Sequence, residues 1–150
     1  IDPEDLEAGH MYVIVSDYLK ELGDVVMDIV KPSLSHVDNN HKPLLEEQIE
    51  ELRELNGQLK DRFATTINVF KNFDTVEMET LKKKLPSFVK KVRSARKNQI
   101  KRIKNHEIGT RNSILYLNLL GEYRNLALFS DRMLTVFEDL VINPEDQKDS

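Results

Sequence analysis

Apolar residues recur at helical spacing through four long stretches of this chain. In the first, residues 12–30, Val15, Leu19, Leu22, Val26 and Ile29 follow at steps of 4, 3, 4 and 3, the repeat of one helix face. Lys31-Pro32 predicts its end, because a residue before proline is pushed out of the α region. Residues 33–42 (SLSHVDNNHK) are rich in turn formers, and Pro43 predicts the first residue of a second helix. That helix, residues 43–71, carries Leu45, Ile49, Leu52, Leu59, Phe63, Ile67 and Phe70 on one face. At 1.5 Å per residue it would be about 43 Å long.

The third helix has a complete start signal. Asp74 and Glu77 stand as N-cap and N3, and Phe73 and Met78 have the spacing of a hydrophobic staple. A link of about two residues makes the second and third helices antiparallel neighbours. The third runs to about His106 on Leu81, Leu85, Phe88, Val92, Gln99 and Ile103, and Pro86 should kink or split it. A turn around Gly109 follows, with Thr110 as the expected N-cap. The fourth helix, residues 111–141, is the most regular: Leu115, Leu119, Glu122, Leu126, Phe129, Met133, Val136 and Leu140 alternate steps of 4 and 3. A second stripe of Tyr116, Leu120, Tyr123, Ala127, Leu134 and Phe137 widens that face to suit two neighbours. Strand-like alternation is absent. The prediction is an all-α fold, an antiparallel bundle of about four long helices.

Composition agrees with few turns: 150 residues hold five Gly and five Pro. The length suits one domain. With no Cys there is no disulfide framework, thiol nucleophile or cysteine-based metal site. No apolar run approaches the roughly 18 residues of a membrane span. Residues 1–11 end in the His10-Met11 pair that an NdeI cloning site leaves, so they read as a cloning remnant. Residues 12–143 are then the bundle, expected to be a domain of a longer chain, and residues 144–150 an acidic, disordered tail.

Charge changes the picture. The formal net charge is −4, yet residues 82–104 hold 11 Lys/Arg and no acid, while residues 1–81 hold 7 basic against 18 acidic residues. One basic helix stands among acidic ones. Its Lys90, Lys91, Arg93, Lys97, Lys101 and Lys104 are the candidates for contact with an anionic surface: lipid, nucleic acid or an acidic protein. Only Phe88 interleaves them, in the core register, so base stacking is unsupported.

Other candidate chemistry is sparse. Asp17, Glu21, Asp24 and Asp28 line one face of the first helix, a spacing that suits a divalent metal but equally a solvated face. No facing Glu-x-x-His pairs accompany them. His36, Asp38 and His41 lie in a connector and suit turn and capping roles. Glu122 falls in the core register beside Arg124; a carboxylate there needs a partner, and Asn56 is a second polar core candidate. Such groups serve as register markers. Phosphate loops, metalloprotease helices and nucleophile elbows are missing, so the prediction is a non-enzyme without a resident cofactor.

Two stretches carry a family resemblance. Lys20-Glu21-Leu22-Gly23-Asp24 is similar to the E-R-I-G-D core of PhoU-like helical repeats, and Gly121-Glu122-Tyr123-Arg124 to their D-x-E-R part. With its helix layout, the chain resembles the PhoU-like cytoplasmic domain of bacterial sodium/phosphate cotransporters. In the family's metal pattern, acids stand four residues apart in two copies. Asp24 and Asp28 keep that spacing, Lys20 replaces an acid, and Tyr123 and Ala127 stand where the second copy expects acids. The resemblance therefore implies a bundle regulating phosphate transport more than a multinuclear metal site. It implies placement at the cytoplasmic face of the bacterial inner membrane. The partners would be the transmembrane part of its own chain, anionic lipid and a second copy in a homodimer, rather than nucleic acid.

Overall fold

A glutamine side chain sets the start of the first described helix. Gln48, at N3, turns back so that its Oε1 accepts the Leu45 N–H at 2.8 Å, half of a capping box. Leu45 is extended, and helix α1 covers Glu46–Asn72, three residues later than Pro43 predicts. The computed structural model describes residues 43–142, the last two by backbone alone, together with Gly9, Val13, Asp17, Lys20, Leu22 and Asp24. The expectations for the remnant at 1–11, the helix at 12–30, the connector and the tail lie largely or wholly outside those residues.

Helix α1 ends in a tight link. Phe73 takes left-handed backbone (φ 53°), and Asp74 caps helix α2, Thr75–Lys104, by accepting the Glu77 N–H at 3.0 Å. The N-cap is as predicted; the staple differs. Met78 is buried, whereas Phe73 is 56% exposed and leans on Phe137 with ring centroids 5.7 Å apart. Pro86 does not split α2, which is continuous across it. At Pro86 the Lys82 carbonyl lacks its usual donor and meets the proline ring.

At the far end α2 closes in a Schellman motif. Glu107 N–H reaches Arg102 O at 3.0 Å and His106 N–H reaches Ile103 O at 3.1 Å, with His106 at φ 56° as the left-handed residue. The left-handed position is thus His106. Gly109 (φ −85°) instead serves as N-cap of α3, Thr110–Phe137, so Thr110 is the first helical residue and not the cap. A π-helical turn, Glu138–Ile142, follows α3.

The described residues are all-α, with no strand among them. Cross-helix partners fix the topology. Glu51 meets Arg102 and Arg62 meets Leu81, so α1 and α2 are antiparallel. Gln48 meets Asn112 and Arg62 meets Ser130, so α1 and α3 run the same way. Leu55, Leu59, Phe88, Val92, Tyr116, Leu120 and Ala127 form the main core, against which Leu22 also packs. Val69, Met78, Leu81, Leu134 and Phe137 form a second cluster at the Phe73 end.

Helix α3 buries Leu115, Leu119, Leu126 and Phe129 of its first stripe and Tyr116, Leu120, Ala127, Leu134 and Phe137 of its second, while Glu122, Tyr123, Met133 and Val136 are half-buried. Of the face expected of helix α1, Leu59 alone is buried. The buried line of α1 is Gln48, Leu55, Leu59, Arg62, Thr66 and Val69, while Ile67 is exposed and Ile49, Leu52, Phe63 and Phe70 are half-buried. Ile103 of α2, also expected inside, is exposed.

Candidate functional site

Where α1 starts and α2 ends, polar side chains from all three helices enter the core. Gln48 Nε2 donates to Gln99 Oε1 at 2.9 Å and to Asn112 Oδ1 at 2.7 Å. Asn112 Nδ2 returns a bond to Gln48 Oε1 at 3.1 Å, and Gln99 Nε2 reaches Ser113 Oγ at 3.4 Å. Gln48 and Gln99 have no exposed surface. Buried amides without such partners would each be costly; here they satisfy one another.

The network continues into a charged triad. Arg102 grips Glu51 with two bonds, Nη2 to Oε1 at 2.7 Å and Nη1 to Oε2 at 3.2 Å, and also donates to Gln99 Oε1 at 3.1 Å. Tyr116 donates its hydroxyl to Glu51 Oε2, and Asn98 Nδ2 donates to Oε1 at 3.0 Å. The Arg102 guanidinium lies 5.8 Å from the Tyr116 ring centroid, within cation–π range.

Each ionisation state is locked. Burial pushes the Glu51 carboxyl up, but hydrogen bonds from Arg102, Tyr116 and Asn98, with the Arg102 charge, outweigh it and hold the pKa below its ordinary value. For Arg102, burial acts downward and the Glu51 bond and charge override it, raising the pKa. Burial, reinforced by Glu51, drives the Tyr116 phenol well above its usual range. None of the three shifts brings a proton-transfer group toward neutrality, as acid–base chemistry at pH 7 requires. The triad clamps helices.

A second polar insertion lies nearer the Phe73 end. Arg62 is buried and donates from Nε to Ser130 Oγ at 2.6 Å, from Nη1 to Leu81 O at 2.8 Å and from Nη2 to Asp131 Oδ1 at 3.1 Å. One guanidinium thus ties all three helices together. It borders a cleft of about 320 Å³ between α1 and α2, alongside Asp61, Thr65, Lys84 and Ser87.

The basic helix divides into two populations. Arg102 pairs with Glu51 and Glu47, Lys91 with Glu54 at 2.6 Å, and Lys82 with Glu138. The other eight cations of residues 82–104 are exposed and form no ion pair among the described residues. Lys91 therefore leaves the predicted anion-contact set, because Glu54 across the helix interface already holds it. Lys90, Arg93, Lys97, Lys101 and Lys104 stay solvent-facing, and Lys83 joins them.

The expected buried pair Glu122 and Arg124 is not buried: Arg124 is exposed and Glu122 half-buried. Asn56 is also half-buried. Of the carboxylates proposed for metal, Asp17 and Asp24 are exposed and helical. They border a cleft of about 1170 Å³ with Glu122 and Asp131, while Glu21 and Asp28 lie outside the described residues. Among those residues no group of three or more His, Cys, Asp or Glu could hold a metal ion. Also among them, no helix is long and apolar enough to cross a membrane.

Gln48, Glu51, Arg62, Arg102 and Asn112 were not singled out by the sequence pattern. For Arg62 a signal existed: Leu55, Leu59, Arg62, Thr66 and Val69 step 4, 3, 4, 3, a second stripe overshadowed by the more apolar one beside it. Comparisons with known protein families, characterised proteins and solved structures return no match.

Proposed function

We propose that residues 12–143 form a four-helix, PhoU-like bundle acting as a non-catalytic cytoplasmic regulatory domain of a sodium-dependent phosphate transporter. The locked core carries the non-catalytic part of this reading. Glu51 and Arg102 neutralise each other and Tyr116 donates to the same carboxylate, so three helices are joined, leaving a rigid body suited to transmitting contacts. Support for a fourth helix comes from the apolar flank on α1, where Leu52, Phe63 and Phe70 are only half-buried and Ile67 is 47% exposed. Leu22 packs against the core, and Asp17 and Asp24 share a cleft with α3. The link to phosphate transport is supported by the likeness of residues 20–24 and 121–124 to PhoU-like repeats. The partner is then the membrane-embedded part of the same chain.

Phosphate uptake tests the reading. The full-length gene, with and without the segment encoding residues 12–143, is expressed in a transport-deficient bacterium and sodium-dependent uptake is followed over a range of phosphate concentrations. Both forms are expected to transport, with the truncated one losing its response to high phosphate. Identical concentration dependence, or a full-length chain with no membrane-spanning helices, would sink it.

A further inference from the structure

The unpaired cations of α2 are ordered. Lys83, Lys90, Lys97 and Lys104 recur every seven residues, a repeat that drifts only about 20° per heptad on a straight helix. They occupy the side opposite the buried Phe88, Val92, Ala95 and Gln99, and Arg93 and Lys101 flank them. At 1.5 Å per residue the line is about 32 Å long, with no acid between residues 80 and 106. One heptad before Lys83 stands Val76, 76% exposed at the end of the bundle, beside the exposed Phe73. Leu85, Pro86 and Val89 floor a groove of about 490 Å³ rimmed by Lys90, Arg93 and Lys97.

We propose that this outer line of α2, with Val76 at its tip, is a docking surface for an anionic lipid bilayer. A plane can touch every member of a straight line at once. Cations over an apolar floor, with an apolar side chain at one end, combine the electrostatic and hydrophobic halves of interfacial binding. Nucleic acid also offers phosphates, but Phe88, the one aromatic residue of α2, is buried, and the exposed Phe73 leans on Phe137 at the end of the bundle, so no row of aromatic rings follows the cations. The acidic flank of α1, with Glu46, Glu50, Glu54 and Asp61 exposed, is repelled by the same bilayer and orients the molecule. The inference stands on charge placement and does not require the transporter reading.

Co-sedimentation with vesicles of phosphatidylcholine, alone or mixed with phosphatidylserine, tests the proposal. Retention is expected on the phosphatidylserine vesicles only, to fall with added salt, and to weaken about fivefold for each of Lys90→Gln and Lys97→Gln. Lys60→Gln, an exposed cation of α1, is expected to leave it unchanged, and Val76→Ser to weaken it. These positions are solvent-facing, so far-UV circular dichroism should match the parent. Equal retention on pure phosphatidylcholine overturns the proposal. So does a Lys60→Gln effect as large as that of Lys97→Gln, full retention of the Val76→Ser chain, or tighter binding to an oligonucleotide at the same ionic strength. Failure here leaves the uptake test of the regulatory reading unaffected.

Discussion

Gln48 of α1 and Asn112 of α3 form a reciprocal amide pair, each side chain donating to the other, at 2.7 and 3.1 Å. Helices that run the same way would otherwise slide past one another on interchangeable leucines. A buried amide pair allows one offset, since slippage by a turn strands four polar atoms. Gln99 ties α2 to the same point through Gln48, so a single residue registers the bundle.

Gln48→Ala is expected to cost about 1–3 kcal/mol, because Asn112 and Gln99 lose a partner without gaining water. Replacing Gln48, Gln99 and Asn112 together by Leu should cost far less in midpoint stability. That variant should instead broaden the individual amide resonances and narrow their dispersion in proton–nitrogen correlation spectra. Sharp, parent-like spectra for the triple variant would mean that the amides do not set register.

The three described helices, their link at Phe73–Asp74 and the N-cap Asp74 were all legible from local patterns, since each rests on neighbours within about four residues. The face of α1 was not. Its most apolar stripe, through Phe63 and Ile67, flanks the core, whereas the buried line passes through Gln48, Arg62 and Thr66. Thr66 donates locally to the Arg62 carbonyl, but Gln48 and Arg62 tolerate burial because of Asn112, Ser130 and Asp131, partners more than 60 residues away that no periodicity reveals. His106 likewise takes the left-handed position that glycine favours, leaving Gly109 to cap α3. The basic run was visible as composition; its division into paired Lys82, Lys91 and Arg102 and a solvent line needed the neighbouring helices.

Stability should fall at both pH extremes through one triad. The Glu51 pKa is lowered on folding, so its contribution is present above the unfolded value near 4.3 and is lost as pH falls through the folded value. The Tyr116 pKa is raised, so its contribution is intact below about 10 and is lost as pH rises further. Urea midpoints across pH should show the acid limb reduced in Glu51→Gln and the alkaline limb reduced in Tyr116→Phe. An alkaline limb of unchanged size in Tyr116→Phe would assign it elsewhere.

Arg62→Met removes donors from Ser130, the Leu81 carbonyl and Asp131. Asp131 keeps some solvent, so the expected loss is about 1–3 kcal/mol rather than that of a fully buried ion pair. Adding Asp131→Asn should recover part of it, read as a double-mutant cycle in urea. Strict additivity would show that the two residues do not interact.

Leu22 reports on the proposed fourth helix. It is half-buried against the main core, so Leu22→Ala is expected to destabilise by about 1–2 kcal/mol, below the range for a fully buried leucine. Val13→Ala, at a 56% exposed position, should change stability by less than about 0.5 kcal/mol. Equal effects from the two substitutions would remove the packing of Leu22 as a support for four helices.

Pro86 sits inside an unbroken helix on an exposed position. Substituting alanine restores an N–H facing the Lys82 carbonyl and removes the ring that crowds it. The intrinsic preference is about 3 kcal/mol, but α2 is already helical on both sides, so a gain of about 1–2 kcal/mol is expected in thermal unfolding. The same change would strip the ring carbons from the groove floor that Pro86 forms with Leu85 and Val89. If Pro86 shapes that groove for lipid, Pro86→Ala should raise stability while lowering retention on phosphatidylserine vesicles. A rise in both would separate the groove from the cationic line beside it.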